Sequence, residues 1–439
     1  MAKNIFVVGL DNLNKAALER LHGTEKHRFY QLLTREELVA SPISVPDLLR
    51  RARHILDNFR GPIDAIVGYW DFPGSMLVPV LAEEYGTRAT SLRSVLANEH
   101  KYWSRLKQSR LIDEIPRFGL LDLESTVPIL PPDVNYPVWI KPVKSCASQG
   151  AYYVDSPESL LHARDALMAE VGRVGEAFTD FLARTDLPVE ISGLGGYAAI
   201  AEEEITGHQF TVEGFVQDKN VTIYGSVDSI RYPNCSSFLR YQYPSRLPAP
   251  VRTRAKRIGE EVVAATGLND TTFNIEFFWD ENLDALNLLE VNVRHSQSHA
   301  LLFERVDGFS NHAFMLDLAL GNEPTLPRGE GPDTIAAKWF IRSFQDGVVK
   351  NSPTSREIRS LEKRFPGTVV QVMAREGQRL SQSYGEDSYS YILAEIHTGG
   401  RTEEDLHHIF EVCRRELQFD IVSDLEPGRE ITDAAPSPL

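Results

Sequence analysis

Two stretches of alternating side chains past the middle of the chain constrain it most: Thr272-Phe-Asn-Ile-Glu-Phe-Phe-Trp279 and Leu286-Asn-Leu-Leu-Glu-Val-Asn-Val-Arg294. Asp280-Glu281-Asn282-Leu283-Asp284 joins them and is rich in turn formers, so the pair reads as a β-hairpin. Strand side chains alternate between faces, which puts Asn274 and Glu276 together and Phe273, Ile275 and Phe277 opposite. On the second strand Glu290, Asn292 and Arg294 share a face, with Leu289, Val291 and Val293 on the other. Two carboxylates, an amide and a guanidinium thus project from one side of a hairpin whose other side is apolar. Carboxylates so placed repel unless a cation lies between them, and oxygen donors suit Mg²⁺ or Mn²⁺. The other reading is a half-exposed sheet whose outer face is merely acidic. The hairpin alone leaves both open.

The remaining composition narrows the classes. A chain of 439 residues predicts about three domains at roughly 150 residues each. Its 42% hydrophobic and 25% charged residues are those of a globular protein with a sizeable core. A formal charge of -16 and a pI near 5.3 argue against nucleic acid or an anionic membrane as partner. ATP is still allowed, provided lysine, arginine and Mg²⁺ are concentrated locally. Cys146, Cys235 and Cys413 are odd in number and scattered, which fits a reducing cytoplasm and excludes a zinc cluster. The opening Met-Ala-Lys-Asn-Ile-Phe-Val-Val-Gly-Leu has too short an apolar run for a signal peptide or membrane span, and predicts a first strand.

Along residues 1–95, strands at 4–9 and 63–68 alternate with helices at 12–21, 46–59 and 73–85, predicting a small parallel α/β domain. Residues 96–325 read as the central domain, with a subdomain over about 120–205. Here a helix over 99–111 precedes a Pro-dotted connection, and strands at 138–141 and 151–154 flank the small-residue loop Ser145–Gly150. Residues 172–190 read as an insertion, and 251–266 as an amphipathic helix ended by Gly267. A Pro/Gly-rich linker at 323–332 leads to a C-terminal α+β unit over 333–424, with strands at 335–341, 367–372 and 390–397 and helices at 355–364 and 403–417. The segment 425–439 is polar and Pro-rich, predicting a disordered tail.

Several pieces belong with the hairpin. Lys141, in Trp-Ile-Lys-Pro, ends a strand beside the loop Lys144-Ser-Cys-Ala-Ser-Gln-Gly150. Such a loop lets backbone N–H groups close over phosphate oxygens while a lysine supplies charge; alternatively it is a plain turn. Lys101 lies on a helix and by itself reads as a surface lysine. Ala198-Ala-Ile-Ala-Glu-Glu-Glu-Ile-Thr-Gly207 is an apolar strand ending in three carboxylates, and Thr211-Val-Glu213-Gly-Phe-Val216 continues it. A strand edge there would offer backbone groups to a planar base; three glutamates are also an ordinary solvated turn.

Taken in order from about residue 60 to 320, these motifs resemble the ATP-grasp superfamily, and within it the carboxylate–amine (amino-acid) ligases. The segments Gly347-Val-Val-Lys, Glu386-Asp-Ser-Tyr and Gly399-Gly-Arg-Thr-Glu-Glu-Asp resemble that family's C-terminal unit. The resemblance implies an ATP-grasp fold, mixed α/β and α+β, with an N-terminal parallel α/β domain. It also implies phosphoryl transfer from ATP to a carboxylic acid, attack by an amine, and release of ADP and phosphate. Lys101 and Lys141 are then the phosphate-binding lysines, with Ser145, Ser148, Gln149 and Gly150 in the flap above them and the subdomain over about 120–205 as a lid. Glu202, Glu203 and Ile205 fall at the adenine hinge, and Gln209 where relatives often place a ribose-binding Glu. Glu276, Glu290 and Asn292 take the metal positions, normally for two Mg²⁺, and Arg294 matches an arginine that steadies acyl phosphate or substrate carboxylate. The resemblance also implies small-molecule substrates and, by analogy, a homodimer.

The substrate side is less determined. Asn274 stands where many relatives have His. Arg240, in Ser236-Ser-Phe-Leu-Arg, stands where amino-acid ligases often have an acidic residue. It suggests an activated substrate with an anionic or uncharged group in place of a free α-amine, or simply an exposed loop arginine. His295 and Ser298 follow Arg294 and are candidates for the acceptor side, as is Glu213; a structural histidine is the competing reading. Tyr69-Trp70-Asp71, at the end of an N-terminal strand, is another candidate substrate edge. A carboxylase-type enzyme making carboxyphosphate and a non-catalytic ATP-binding protein are the alternative functions.

Overall fold

The computed structural model describes residues 2–40, 42–145, 149–382 and 390–422. It places them in two compact units that interleave in sequence. The first comprises residues 1–225, 247–297 and 311–326, and the second 226–246, 298–310 and 327–439.

The first unit opens with β1 (Asn4–Val8), β2 (Arg28–Leu32) and β3 (Ala65–Gly68), a parallel sheet in the order β2-β1-β3. The sequence predicted the outer two of these in chain order and missed β2, whose half-exposed pattern lacks an apolar run. A helix at Val45–Asp57, capped by Ser44 and started by Pro46, covers this sheet with Leu48, Leu49, Ala52 and Leu56. The expected helix over 99–111 is two helices, Leu92–Glu99 and Lys101–Gln108, broken at His100. His100 turns the chain to an extended backbone and caps the second helix through Nδ1 to the Trp103 N–H. That break sets Lys101 at a helix start, with its N–H on the Val143 carbonyl at 2.8 Å.

The subdomain expected as a lid contains four strands: β4 (Phe118–Leu121), β5 (Val138–Pro142), β6 (Tyr152–Val154) and β7 (Ala199–Glu203), antiparallel in the order β4-β7-β5-β6. They have a core of their own, in which Ile140, Val154 and Ala201 meet Leu160 and Leu167 of the helix Pro157–Glu170. The stretch read as an insertion is helical, at Gly172–Leu182 and Val189–Ser192, and buries Phe178 and Phe181 in the main core.

The hairpin is present as β11 (Thr271–Asp280) and β12 (Ala285–Asn292), with β8 (His208–Gln217) on the other side of β11. Glu276 faces Glu290 and Asn274 faces Asn292 across the ladder. The pattern slips once. A bulge after Glu276 pairs Phe277 with Leu288, so Leu288 takes the apolar face and Leu289 leaves it. Two glycines are forced here. A Cβ at Gly207 (φ +111°) would lie 2.3 Å from the Trp279 carbonyl oxygen, and one at Gly214 would lie 2.6 Å from that of Thr222.

β9 (Asn220–Arg231) starts in the first unit and continues into the second, where β10 (Phe238–Tyr243) and β13 (Ile335–Ser343) extend the sheet. The remaining strands are β14 (Val348–Asn351), β15 (Val369–Val372), β16 (Tyr391–Gly400) and β17 (Asp420–Val422). β13, β16 and β15 are antiparallel neighbours, and Trp339 of β13 stacks on Phe410 of the helix Glu403–Glu416. The strand and helix positions predicted for this unit agree to within a few residues. Glu386 and the expected tail lie outside the described residues. Among the described residues, no helix is long and apolar enough to cross a membrane.

Candidate active site

β5, β7, β12 and the helix Lys101–Gln108 converge on one recess in the first unit, lined by Lys101, Lys141, Lys144, Glu202, Glu290 and Asn292 among others. Sequence reasoning selected six of the lining residues, Lys101, Lys141, Ser145 and Glu202 for ATP and Glu290 and Asn292 for metal, whereas Glu276 is not among them. Lys101 Nζ lies 3.5 Å from Glu290 Oε2. Lys141, at the end of β5, is buried and pairs with Glu202. Burial pulls the Lys141 pKa down, and Glu202 opposes that shift.

The two metal-position carboxylates are in unlike states. Burial first, and the facing Glu290 second, push Glu276 up to about 7. Burial acts the same way on Glu290, but Lys101, Lys141 and Lys144 outweigh it and hold that carboxyl below its ordinary range. Glu276 also receives Gln209 Nε2 at 2.8 Å, and Asn292 Nδ2 donates to Asn274 Oδ1 at 3.1 Å. Gln209, expected near a ribose, therefore has its amide on a metal-position carboxylate. Among the described residues no cluster of three His, Cys, Asp or Glu side chains could cage a metal unaided. Two opposed carboxylates and an amide nevertheless fit a hard dication that takes its other oxygens from phosphate and water. A dication would remove the repulsion that raises Glu276.

Glu202 corrects the expectation for the hinge. Its carboxylate accepts from Arg105 Nε at 2.6 Å and from Lys141, and these two cations hold it down to about 2 against the opposing effect of burial. Nor is β7 a sheet edge: it is hydrogen-bonded to β4 and β5 on its two sides. Glu203 points elsewhere, accepting from Asn135 N and Nδ2 at 2.9 and 3.0 Å. Ile205 is half-buried past the strand end.

Three charged residues of the site, Arg105, Lys144 and Glu99, were given no role in the sequence reading. Arg105 lies one helical turn after Lys101, a spacing that places both on one face. It donates to the carbonyls of Leu288 and Leu289 at 3.2 and 2.6 Å, so it fills the backbone acceptors opened by the bulge while holding Glu202. Lys144 pairs with Glu99 at 2.7 Å, and Ser75 donates to the same oxygen at 3.0 Å. The other Glu99 oxygen and Asn98 Oδ1 are buried without a partner among the described residues. Asp71 meets Arg294 in two bonds, Nε–Oδ1 at 3.0 Å and Nη2–Oδ2 at 2.6 Å. Tyr69-Trp70-Asp71 was read from the sequence as a candidate substrate edge; the pairing of Asp71 with Arg294, which spans 223 residues of chain, was not.

Of the flap, Ser145 lines the recess, Gln149 accepts from Arg173, and Gly150 has φ +68°; Ser148 lies outside the described residues. The candidates for the substrate side are placed differently. His295 is fully buried, sharing hydrogen bonds with Thr272 Oγ1 (3.1 Å) and His312 Nδ1 (2.8 Å). Burial pulls His312 down to about 4, so His312 is neutral near pH 7. Glu213 is sealed, accepting from Tyr224 Oη, Asn311 Nδ2 and Ser296 N at 2.7, 2.9 and 3.2 Å. It fixes the segment after Arg294. Ser298 and Arg240 belong to the second unit. Ser298 accepts from Lys338 at 3.1 Å, whereas Arg240 is buried on Glu403 and His407 and lies over Trp339. Arg240 is thus no exposed loop arginine.

The model of the ATP-grasp domain family matches residues 134–299, the stretch that carries β5 through β12. No curated protein is significantly similar in sequence. Among solved structures, an L-amino acid ligase from Bacillus licheniformis aligns with TM-score 0.67 at 15% identity, over 96% of this chain and 99% of that one. Phosphoribosylglycinamide synthetase from Anaerococcus prevotii aligns with TM-score 0.62 at 14% identity, over 96% and 100%. Biotin carboxylase from Campylobacter jejuni aligns with TM-score 0.61 at 15% identity, over 95% and 92%. Identities this low establish the fold. The ATP-grasp assignment itself rests on residues 134–299.

Proposed function

We propose that the chain is an ATP-dependent carboxylate–amine ligase that activates a small carboxylic acid as an acyl phosphate and couples it to an amine. The observation that carries this reading is the meeting of Lys101, Lys141 and Glu290 in one recess, with Glu276 facing Glu290 across the ladder. Transfer of a phosphoryl group needs little covalent help and much charge neutralisation. Lys101 and Lys141 supply fixed positive charge for the phosphates, and the Lys141 ammonium is kept in place by Glu202. Glu276, Glu290 and Asn292 would hold divalent cations, Mg²⁺ by their oxygen donors, which when bound neutralise developing charge on the transferred phosphate. Arg294 would orient the carboxylate under attack. The lid, built on its own core, would exclude water from an acyl phosphate that otherwise hydrolyses.

ADP release with Mg·ATP across a panel of carboxylic acids and amines tests the reading, with Glu290→Ala alongside. Acid- and amine-dependent ADP release that Glu290→Ala abolishes is expected. Activity that survives the substitution overturns the metal assignment. ADP release that depends on bicarbonate instead identifies carboxyphosphate chemistry.

A further inference from the structure

Arg294 already holds a carboxylate, and it belongs to the protein. Asp71 lies three residues beyond the C-terminal end of β3, where ligands of parallel sheets gather. Its loop is fixed by Trp70, whose Nε1 donates to the Gly9 carbonyl at 2.7 Å under the Arg35 guanidinium at 4.5 Å. Arg294 is fixed in turn by its carbonyl, which accepts from Asn274 Nδ2 at 2.9 Å. Two anchored groups therefore meet in a bidentate ion pair, with the Asp71 side chain still one-third exposed. Burial would raise the Asp71 carboxyl, but Arg294, Lys144 and Lys101 keep it ionised.

We propose that Asp71 is a specificity-determining residue that selects a carboxylate carrying a cationic group beside it. The proposal rests on the reading of Arg294 as the site for the activated carboxylate. A substrate carboxylate that takes the Nε–Nη2 edge of Arg294 must displace Asp71. The freed Asp71 carboxylate then has no cation of its own, because the two nearby lysines are paired elsewhere, Lys144 with Glu99 and Lys101 with Glu290. A simple monocarboxylate leaves that charge uncompensated, and a dicarboxylate adds a repulsion. A zwitterion instead replaces one ion pair by two, its carboxylate on Arg294 and its ammonium on Asp71. The selectivity is opposite to that suggested by Arg240 in the sequence, and Arg240 has its own partners in the second unit.

The test uses the full chain with Mg·ATP and hydroxylamine. The γ-phosphoryl group passes from ATP to a carboxylate oxygen, releasing ADP. Hydroxylamine nitrogen then attacks the acyl carbon, loses a proton and expels phosphate, leaving a hydroxamate that is measured. L-Alanine, L-leucine, L-phenylalanine and L-glutamate are each compared with the acid lacking the amine: propionate, 4-methylpentanoate, 3-phenylpropionate and glutarate. The same pairs are titrated calorimetrically against the protein loaded with Mg²⁺ and a non-hydrolysable ATP analogue, so selectivity is read even where no hydroxamate forms. Loss of turnover with selective binding retained would then tell against the ligase reading alone.

The wild type should favour at least one amino acid over its partner by about tenfold or more, the ratio expected when a buried charge loses its partner. Asp71→Asn should reduce that ratio to near one, mainly by weakening the amino acid, and Asp71→Glu should restore part of it. An unchanged ratio in Asp71→Asn, a wild-type preference for the acids without the amine, or binding of no amino acid overturns the proposal.

Discussion

A dication entering the recess has to compete with a proton, and that competition is measurable without knowing either organic substrate. Glu276 carries the effect, since burial and then the facing Glu290 push it up to about 7. The proton belongs to the pair of carboxylates rather than to one alone, because each charge raises the other's affinity for it. Metal ligation requires the ionised form, so binding expels the proton. With the pKa at about 7, about nine in ten molecules carry it at pH 6 and about one in ten at pH 8. Affinity for Mg·ADP should therefore be about tenfold weaker at pH 6 than at pH 8, a difference of about 1.4 kcal/mol. At pH 7 binding should release about half a proton per site. Calorimetry in two buffers of different ionisation enthalpy reads that number directly. Glu276→Gln should remove the release, whatever it does to affinity. The ligand-free protein should behave in the opposite sense. Because the folded pKa lies above the ordinary carboxyl value of 4.5, this group's contribution to stability is full below pH 4.5 and is lost as pH rises through about 7. Added Mg·ADP should accordingly raise Tm more at pH 8 than at pH 6. Zero proton release by the wild type at pH 7, or a release that persists in Glu276→Gln, would refute the assignment of the opposed carboxylates as a cation site.

Other outcomes follow from the same geometry. Glu202→Gln strands Arg105 and Lys141 in a buried place, so denaturant unfolding at pH 7 should show a loss of about 3–5 kcal/mol. The wild-type contribution of Glu202 is present above pH 4.5 and is lost as pH falls through about 2; the acid-unfolding curve of the variant should be correspondingly flatter. Lys101→Ala and Lys141→Ala should each weaken ATP binding by about 1.5–3 kcal/mol, the range for hydrogen bonds to charged groups. Equilibrium binding measures this, and unchanged affinity in both variants would remove the lysines from the phosphate site. Gly207→Ala should weaken nucleotide binding and lower Tm, because its Cβ would press on the Trp279 carbonyl where the hinge leaves β7.

The legible part of this protein was the part in which one side chain answers to a local period. Glu276, Asn274, Glu290 and Asn292 alternate along two adjacent strands, so their shared face followed from spacing, and the ladder pairs them as that spacing requires. The N-terminal strands β1 and β3 were legible because a central and a buried strand need continuous apolar runs. β2 was not, because an edge strand with exposed Arg28 and Gln31 has no such run. The bulge at Leu289 was hidden for a different reason. It changes the period within one strand, and the Arg105 guanidinium that satisfies the Leu288 and Leu289 carbonyls lies 183 and 184 residues away. Glu202 was misassigned because three consecutive glutamates look alike in sequence; only the partners supplied by other elements separate the buried Glu202 from Glu203.

Those partners explain how an acidic chain can keep five cations in one place. Lys144 is paired with Glu99, Arg105 and Lys141 with Glu202, Lys101 with Glu290, and Arg294 with Asp71. Two of the acids, Glu99 and Glu202, are nearly inaccessible and can act only on their lysines and arginine. The other two, Glu290 and Asp71, are each about one-third exposed and can exchange partners with a ligand. A metal–polyphosphate arriving at the recess would take Glu290 through its cation and Lys101 through its phosphate, so one internal pair becomes two external ones with no charge left over. The Asp71–Arg294 pair offers the same exchange to a zwitterion. On this view the buried acids set the geometry and the accessible acids set the selectivity. Substitutions of Glu99 or Glu202 should then appear first in stability, and those of Glu290 or Asp71 first in ligand affinity.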